Sequence, residues 1–201
     1  MEKNHNILQT LVDNIKQLPG IGPKAAQRIA FYLSISNKKL ANELRLSLES
    51  ALKEINLCEE CNNFSFNLIC DVCNLSNRDS KKLCIVEMPS DLQNIENTNF
   101  YNGKYYILMG RLSPINGIGP EQLKIEKLKK NIEEKEFDEI IIATNFNSDS
   151  DLTAEFLYTL LKGKAKSVTR LSRGISLGSE IDKVDVGTIA YAIQERSPFK
   201  I

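Results

Sequence analysis

Residues 58–73, CEECNNFSFNLICDVC, hold two CxxC pairs, Cys58/Cys61 and Cys70/Cys73, with eight residues between them. Each pair brings two thiolates to the separation a tetrahedral ion requires, and together they complete a four-sulfur site for one Zn²⁺. The spacer is shorter than the roughly 15–20 residues of one common zinc pattern, which points to a compact ribbon or knuckle. Sulfur fills all four positions and leaves none for water. The ion is therefore expected to be structural, folding a segment too small to bury a core of its own. A dithiol redox couple and an iron–sulfur cluster use similar pairs, and four unrelated buried cysteines are the plainest alternative. The fifth cysteine, Cys84, lies in the apolar run Leu83-Cys84-Ile85-Val86 and reads as a buried strand residue.

On the N-terminal side the pattern is helical. Ile7, Leu8, Leu11, Val12 and Ile15 form one stripe, Pro19-Gly20 breaks it, and Pro23 opens a second helix over KAAQRIAFYL. A third helix runs through about residues 38–55, with Leu40, Leu44, Leu48, Leu52 and Ile55 on one face. The turn Leu18-Pro19-Gly20-Ile21-Gly22-Pro23-Lys24 carries glycines that allow close backbone approach to a phosphate, and the following helix start points N–H groups at it. Lys24 and Arg28, four apart, share a helix face. Gly20, Gly22, Lys24 and Arg28 are thus the candidate DNA-contacting residues of a helix-hairpin-helix, reading backbone rather than sequence. A helical hairpin with solvated cations is the alternative.

On the C-terminal side, KLCIVE (82–87), YYILMG (105–110), EIIIAT (139–144) and SVTRLS (167–172) read as short buried strands. Helical patterns at 121–136 and 151–162 lie between them. Such alternation predicts a mostly parallel sheet covered by helices, an α/β unit behind a small all-α N-terminal domain. Glu87 and Asp91 follow the first strand, and Asp149 and Asp151 follow the third. Ligands bind at the carboxyl ends of parallel strands, so these four acids are expected to converge on one site, of the kind that suits Mg²⁺. Helix capping by Asp151 and simple solvation are the competing explanations.

Bulk properties narrow the field. Hydrophobic residues make up 42% and charged residues 26%, ordinary for a folded soluble chain. Net charge is zero, which excludes an indiscriminate polycation, though residues 1–57 carry eight Lys or Arg against five Asp or Glu. The segment MEKNHNILQTLVDN is too polar for a secretory signal, and no apolar run approaches the roughly 18 residues of a membrane helix. A cytoplasmic location without membrane contact is expected, where thiols stay reduced. His5 is set aside as a general base, and Tyr101, Tyr105 and Tyr106 are assigned to packing. The echo of Gly20-Ile21-Gly22-Pro23 at Gly117-Ile118-Gly119-Pro120 reads as a turn into a helix rather than a second hairpin.

In this order the three constellations resemble the bacterial recombination mediator family RecR, along essentially the whole chain. The resemblance rests on LPGIGPKAAQRIAFYL, the cysteine segment with Arg78-Asp79 beyond it, LCIVEMPSDLQNIE, LSPINGIGPEQL, ATNFNSDSDLTAEFL and TRLSRGISLGSEIDKVDVGTIAYAI. It implies a Toprim domain bearing Glu87, Asp149 and Asp151, whose acids belong to a partner-binding face. It implies a homo-oligomeric ring, dimer or tetramer, that encircles DNA. It further implies work with a RecO-type partner, and a RecF-type partner where present, in loading recombinase on single-stranded DNA. Mg²⁺ at the Toprim acids stays open as a ligand without a catalytic role. The chain departs from the family's usual residues at Met88, at Phe146 and at Arg111, where the family often has Gly-Gly over the positions of Gly110-Arg111.

The segment Gly178–Arg196 resembles the family's Walker B-like stretch, with Asp182 and Asp185, and implies a role in assembly. No G-x-x-x-x-G-K-[ST] loop accompanies it. The expected layout is a helical domain at 1–56, a zinc module at 57–79, a Toprim-like domain at 80–175 and an assembly segment at 176–201. The expected function is non-enzymatic mediation of DNA repair. The competing function is a Mg²⁺-dependent Toprim enzyme acting on DNA, a nuclease or a primase-like polymerase.

Overall fold

Proline and glycine set the boundaries of the first helices. α1 (Glu2–Lys16) ends before the Pro19-Gly20 break, and α2 (Pro23–Phe31) starts with proline in its first turn behind an extended Gly22. The structure, a computed structural model, describes residues 2–196 and 198; the side chains of residues 2–6, His5 included, lie outside that description. Its chain divides into two compact units, 1–55 and 56–201.

In the first unit Ala26 and Ala30 on α2 are fully buried against Ile15, with Leu8, Leu11, Val12, Ile21 and Ile29 around them. Alanine at i and i+4 lets the two helices approach closely, which fixes the hairpin. α2 runs on into a π-helical turn (Tyr32–Ser36), and α3 (Lys38–Glu54) follows. Asn37 caps α3 by accepting the Leu40 N–H at 3.0 Å. The predicted leucine stripe forms, yet α3 buries none of it: Leu44 is 43%, Leu48 63% and Leu52 85% exposed.

The second unit opens with a two-residue antiparallel pair, β1 (Asn56–Leu57) and β2 (Phe64–Ser65), then a single turn α4 (Asp71–Asn74). The α/β core follows: β3 (Asp79–Val86), α5 (Pro89–Asn97), β4 (Gly103–Ile107), α6 (Ile125–Glu134), β5 (Phe137–Ala143), α7 (Ser148–Leu161) and β6 (Ala165–Arg170). The short helix α8 (Val186–Gln194) ends the described elements. The four strands are parallel in the order β4-β3-β5-β6. Residues 83–86 are all buried because β3 is central and covered on both faces, which is why it reads as an unbroken apolar run. Leu83 and Ile85 face one side with Leu128 and Ile132 of α6 and Leu157 and Leu161 of α7. Cys84 and Val86 face the other, with Leu92 of α5 and all four clustered cysteines.

Several boundaries differ from the sequence reading by a few residues. β4 starts at Gly103, and it stops at Ile107 because Met109 (φ 61) and Gly110 (φ 154) turn the chain out of the sheet. α7 begins at Ser148, since Asn147 accepts the Ser150 N–H at 3.0 Å, so Asp149 and Asp151 lie in its first turn and neither caps it. Gly119-Pro120 opens only a 3₁₀ turn over Pro120–Leu123 before α6. The tyrosines pack as expected: Tyr105 and Tyr106 are buried, and the Tyr101 and Tyr105 rings meet edge to face at 5.1 Å. Among the described residues no helix is long and apolar enough to cross a membrane.

Candidate functional site

Cys58, Cys61, Cys70 and Cys73 are buried with their sulfurs all within 4.8 Å of one another. Cys61 Sγ and Cys70 Sγ stand 3.6 Å apart, close to the roughly 3.8 Å edge of a sulfur tetrahedron with metal–sulfur bonds of about 2.3 Å. Local backbone makes this arrangement. Asn62, at φ 65, turns the first knuckle, a left-handed position that asparagine tolerates. The Asn63 N–H then donates to Cys61 Sγ and the Cys70 N–H to Cys58 Sγ, both at 3.3 Å.

The second unit's sheet and α6 hold the knuckle from outside. Ile107 N–H donates to the Cys61 carbonyl at 2.8 Å, and Asn62 Nδ2 returns a bond to the Ile107 carbonyl at 2.9 Å. Lys127 Nζ donates to Asn62 Oδ1 at 2.7 Å and Lys104 Nζ to the Cys73 carbonyl at 2.8 Å. Two cations beside the cluster suit a zinc–tetrathiolate group, which carries a double negative charge. Hydrogen bonds from the Cys61 and Cys73 thiols hold Cys70 well below the ordinary thiol range, and the same pairing drives those two upward. Those shared protons are the ones a bound dication displaces. The donor set fits one Zn²⁺. Cys84 stays apart, a thiol that burial pushes up to about 12.

The hairpin tip is open. Gly20 has φ 76, where a side chain is strained, and a Cβ at Gly20 or Gly22 would meet nothing within 4 Å. Gly22 is the N-cap of α2, whose first N–H groups have no intrahelical acceptors. Lys24 and Arg28 are exposed on the same helix.

Two of the four acids, Glu87 and Asp149, meet around Arg111, while Asp91 and Asp151 turn away from them. Glu87, 1% exposed at the end of β3, accepts Asn145 N–H at 3.0 Å on Oε1 and Asn145 Nδ2 at 2.8 Å on Oε2. Asp149 Oδ2 accepts the Ser113 hydroxyl at 2.8 Å. Arg111 spans this pair, 3.5 Å from Glu87 and 4.0 Å from Asp149. Asp91 turns back to cap α5, accepting the Met88 N–H at 2.9 Å. Asp151 Oδ1 accepts both Arg170 Nη2 and Arg173 Nη2 at 2.6 Å. Burial pushes the Asp151 carboxyl up, but the two guanidiniums outweigh it and hold it below the usual range. Among the described residues the cysteines alone form a group of three or more metal-ligating side chains within reach of one ion.

Several residues that shape the sites were not singled out by sequence. In the sequence Arg111 stands out only as a departure from the family's usual residue. Arg170 and Arg173 lay in TRLSR with no sign that they would meet Asp151. Arg173 Cζ lies over both the Phe146 and the Tyr191 rings, 5.0 and 4.3 Å from their centres, and so ties α8 to the start of α7. Arg78 is nearly buried against Glu96, which also accepts the Tyr105 hydroxyl at 2.6 Å. Asp185 caps α8 through Thr188.

A glycine-tipped helical hairpin and a parallel sheet covered by helices define a helix-hairpin-helix α/β protein. Residues 81–172 match the Toprim domain family, and residues 8–52 match the family described as RecR, helix-hairpin-helix. Recombination protein RecR of Chromobacterium violaceum is 42% identical over 194 residues, 96% of this chain and 98% of that protein. The chain belongs to the RecR family.

Proposed function

We propose that the protein is a recombination mediator of DNA repair that binds the nucleic acid backbone and guides other proteins to it without a catalytic step of its own. The observation that carries this reading is the open glycine tip with Lys24 and Arg28 beside it, inside the stretch that matches the RecR hairpin. Gly20 and Gly22 admit a phosphate to the α2 N-terminus, and the two cations grip the same strand. One Zn²⁺ held by Cys58, Cys61, Cys70 and Cys73 supplies folding energy, and its sulfur-filled shell gives it no substrate position.

The exposed leucine stripe of α3 supports assembly with further copies of this chain, in a dimeric or tetrameric ring. The acid-bearing end of the sheet, with Glu87, Asp91, Asp149 and Asp151, serves as the face for a RecO-type partner in the cytoplasm. The test is DNA binding by purified protein, with and without such a partner, with assembly mass measured in the same buffer. Binding by an oligomer without added Mg²⁺, strengthened by the partner, is expected. Mg²⁺-dependent cutting or extension of DNA that Asp149→Asn abolishes would replace this reading with the enzymatic one.

A further inference from the structure

A Toprim sheet end implies a divalent cation, yet the residues here do not fit Mg²⁺. That ion demands near-octahedral oxygen ligation at about 2.0–2.1 Å and free carboxylate lone pairs. Glu87 and Asp149 keep lone pairs beside the bonds they accept from Asn145 and Ser113, but the place a metal would take between them is held by Arg111, 3.5 and 4.0 Å from their oxygens. We infer that the Arg111 guanidinium is the resident cation of the Glu87–Asp149 pair, and that the pair takes a divalent ion only when this side chain is removed.

The position is built, not incidental. Gly110, at φ 154, donates its N–H to the Glu87 carbonyl at 3.0 Å, and Leu112 donates its N–H to Thr153 Oγ1 at 2.9 Å. The backbone on both sides of Arg111 is therefore clamped to β3 and α7, the two elements that carry the acids. From there the guanidinium reaches Glu87 at 3.5 Å and Asp149 at 4.0 Å. Glu87 is buried, and a buried carboxylate requires a positive partner or full hydrogen bonding. A dication added beside Arg111 would set three positive charges against two negative ones. Of the other acids expected at this end of the sheet, Asp91 is spent on the α5 cap and Asp151 on Arg170 and Arg173, so neither relieves that excess. Arg111 itself is 45% exposed, so deleting its side chain opens the pair to solvent without emptying a core.

The test uses zinc-loaded full-length protein titrated with Mn²⁺ alone, free ion being read by electron paramagnetic resonance. Arg111→Gly and Arg111→Gln remove the charge, the second preserving side-chain bulk; Arg111→Lys retains the charge. Both uncharged variants are expected to bind one Mn²⁺ about tenfold or more tighter than the wild type and the lysine variant, as removal of an adjacent like charge requires. Adding Glu87→Gln to either should abolish the gain. Equal Mn²⁺ affinity in wild type and both uncharged variants overturns the inference. So does a gain that survives Glu87→Gln.

Discussion

Replacing Lys24 and Arg28 together by alanine isolates the hairpin's share of DNA affinity. Both side chains are exposed on α2, four residues or about 6 Å apart along the axis, and alanine is the best helix former, so the fold stays intact. Each phosphate contact contributes about 0.9 to the slope of log affinity against log salt on duplex DNA and about 0.7 on single strands. Two lost contacts flatten that slope by about 1.8 or 1.4 per hairpin. If the cations act through counterion release alone, the deficit at 0.1 M salt is ~60-fold on duplex and ~25-fold on single strands. It shrinks as salt rises, by about 12-fold on duplex and 7-fold on single strands between 50 and 200 mM. Fluorescence anisotropy with labelled oligonucleotides over that range measures both quantities. A double variant whose log–log line runs parallel to the wild type removes the hairpin from the binding surface, whatever its offset.

Other expectations follow from the second unit. Chelation should release one Zn²⁺ per chain, and Cys61→Ser should remove the tertiary circular dichroism of this unit, since metal affinity on the order of 10 kcal/mol is folding energy here. Glu96→Gln leaves the Arg78 guanidinium, with a side chain 7% exposed, without its counter-charge and should cost roughly 3 kcal/mol in denaturant unfolding. The Arg78 hydrogen bond holds the Glu96 carboxyl below its usual range. Its contribution is thus full above the unfolded carboxylate value, near pH 4.3, and fades as pH falls through the depressed folded value. The wild type should lose that increment on acidification and the glutamine variant should not. Phe146→Ala removes one of the two faces around Arg173, about 0.5–2 kcal/mol. It should speed amide exchange in residues 173–196, and at the end of β6 where Arg170 also lies over Phe146, while exchange in β3 and β5 stays unchanged.

How far residues announce their roles depends on how local the physics is. The cysteine quartet was legible because ligand spacing within a knuckle is a property of a few residues. β3 and β5 were legible because burial on both faces leaves a continuous apolar run. The acids were not, since Asp91 and Asp151 look equivalent to Glu87 and Asp149 in the chain. Their fates are decided by a cap three residues away in one case and by arginines from β6 and beyond in the other. Arg111 is separated from both of its partners in sequence, and only the turn at Met109-Gly110 delivers it. The α3 stripe showed its helix correctly, while periodicity says nothing of what covers the apolar face.

The bonds between Ile107 and the first cysteine knuckle have a further consequence. β4 stands at the end of the strand order, where one side of a strand normally offers its amides to any passing chain. Here both polar groups of Ile107 are claimed by Cys61 and Asn62. The metal knuckle thereby acts as a stopper on the sheet margin, and its loss exposes an apolar strand edge as a template for intermolecular pairing. Loss of a bound ion is then expected to lower solubility as well as stability, because the segment that would hold the ion also covers the β4 margin of the sheet.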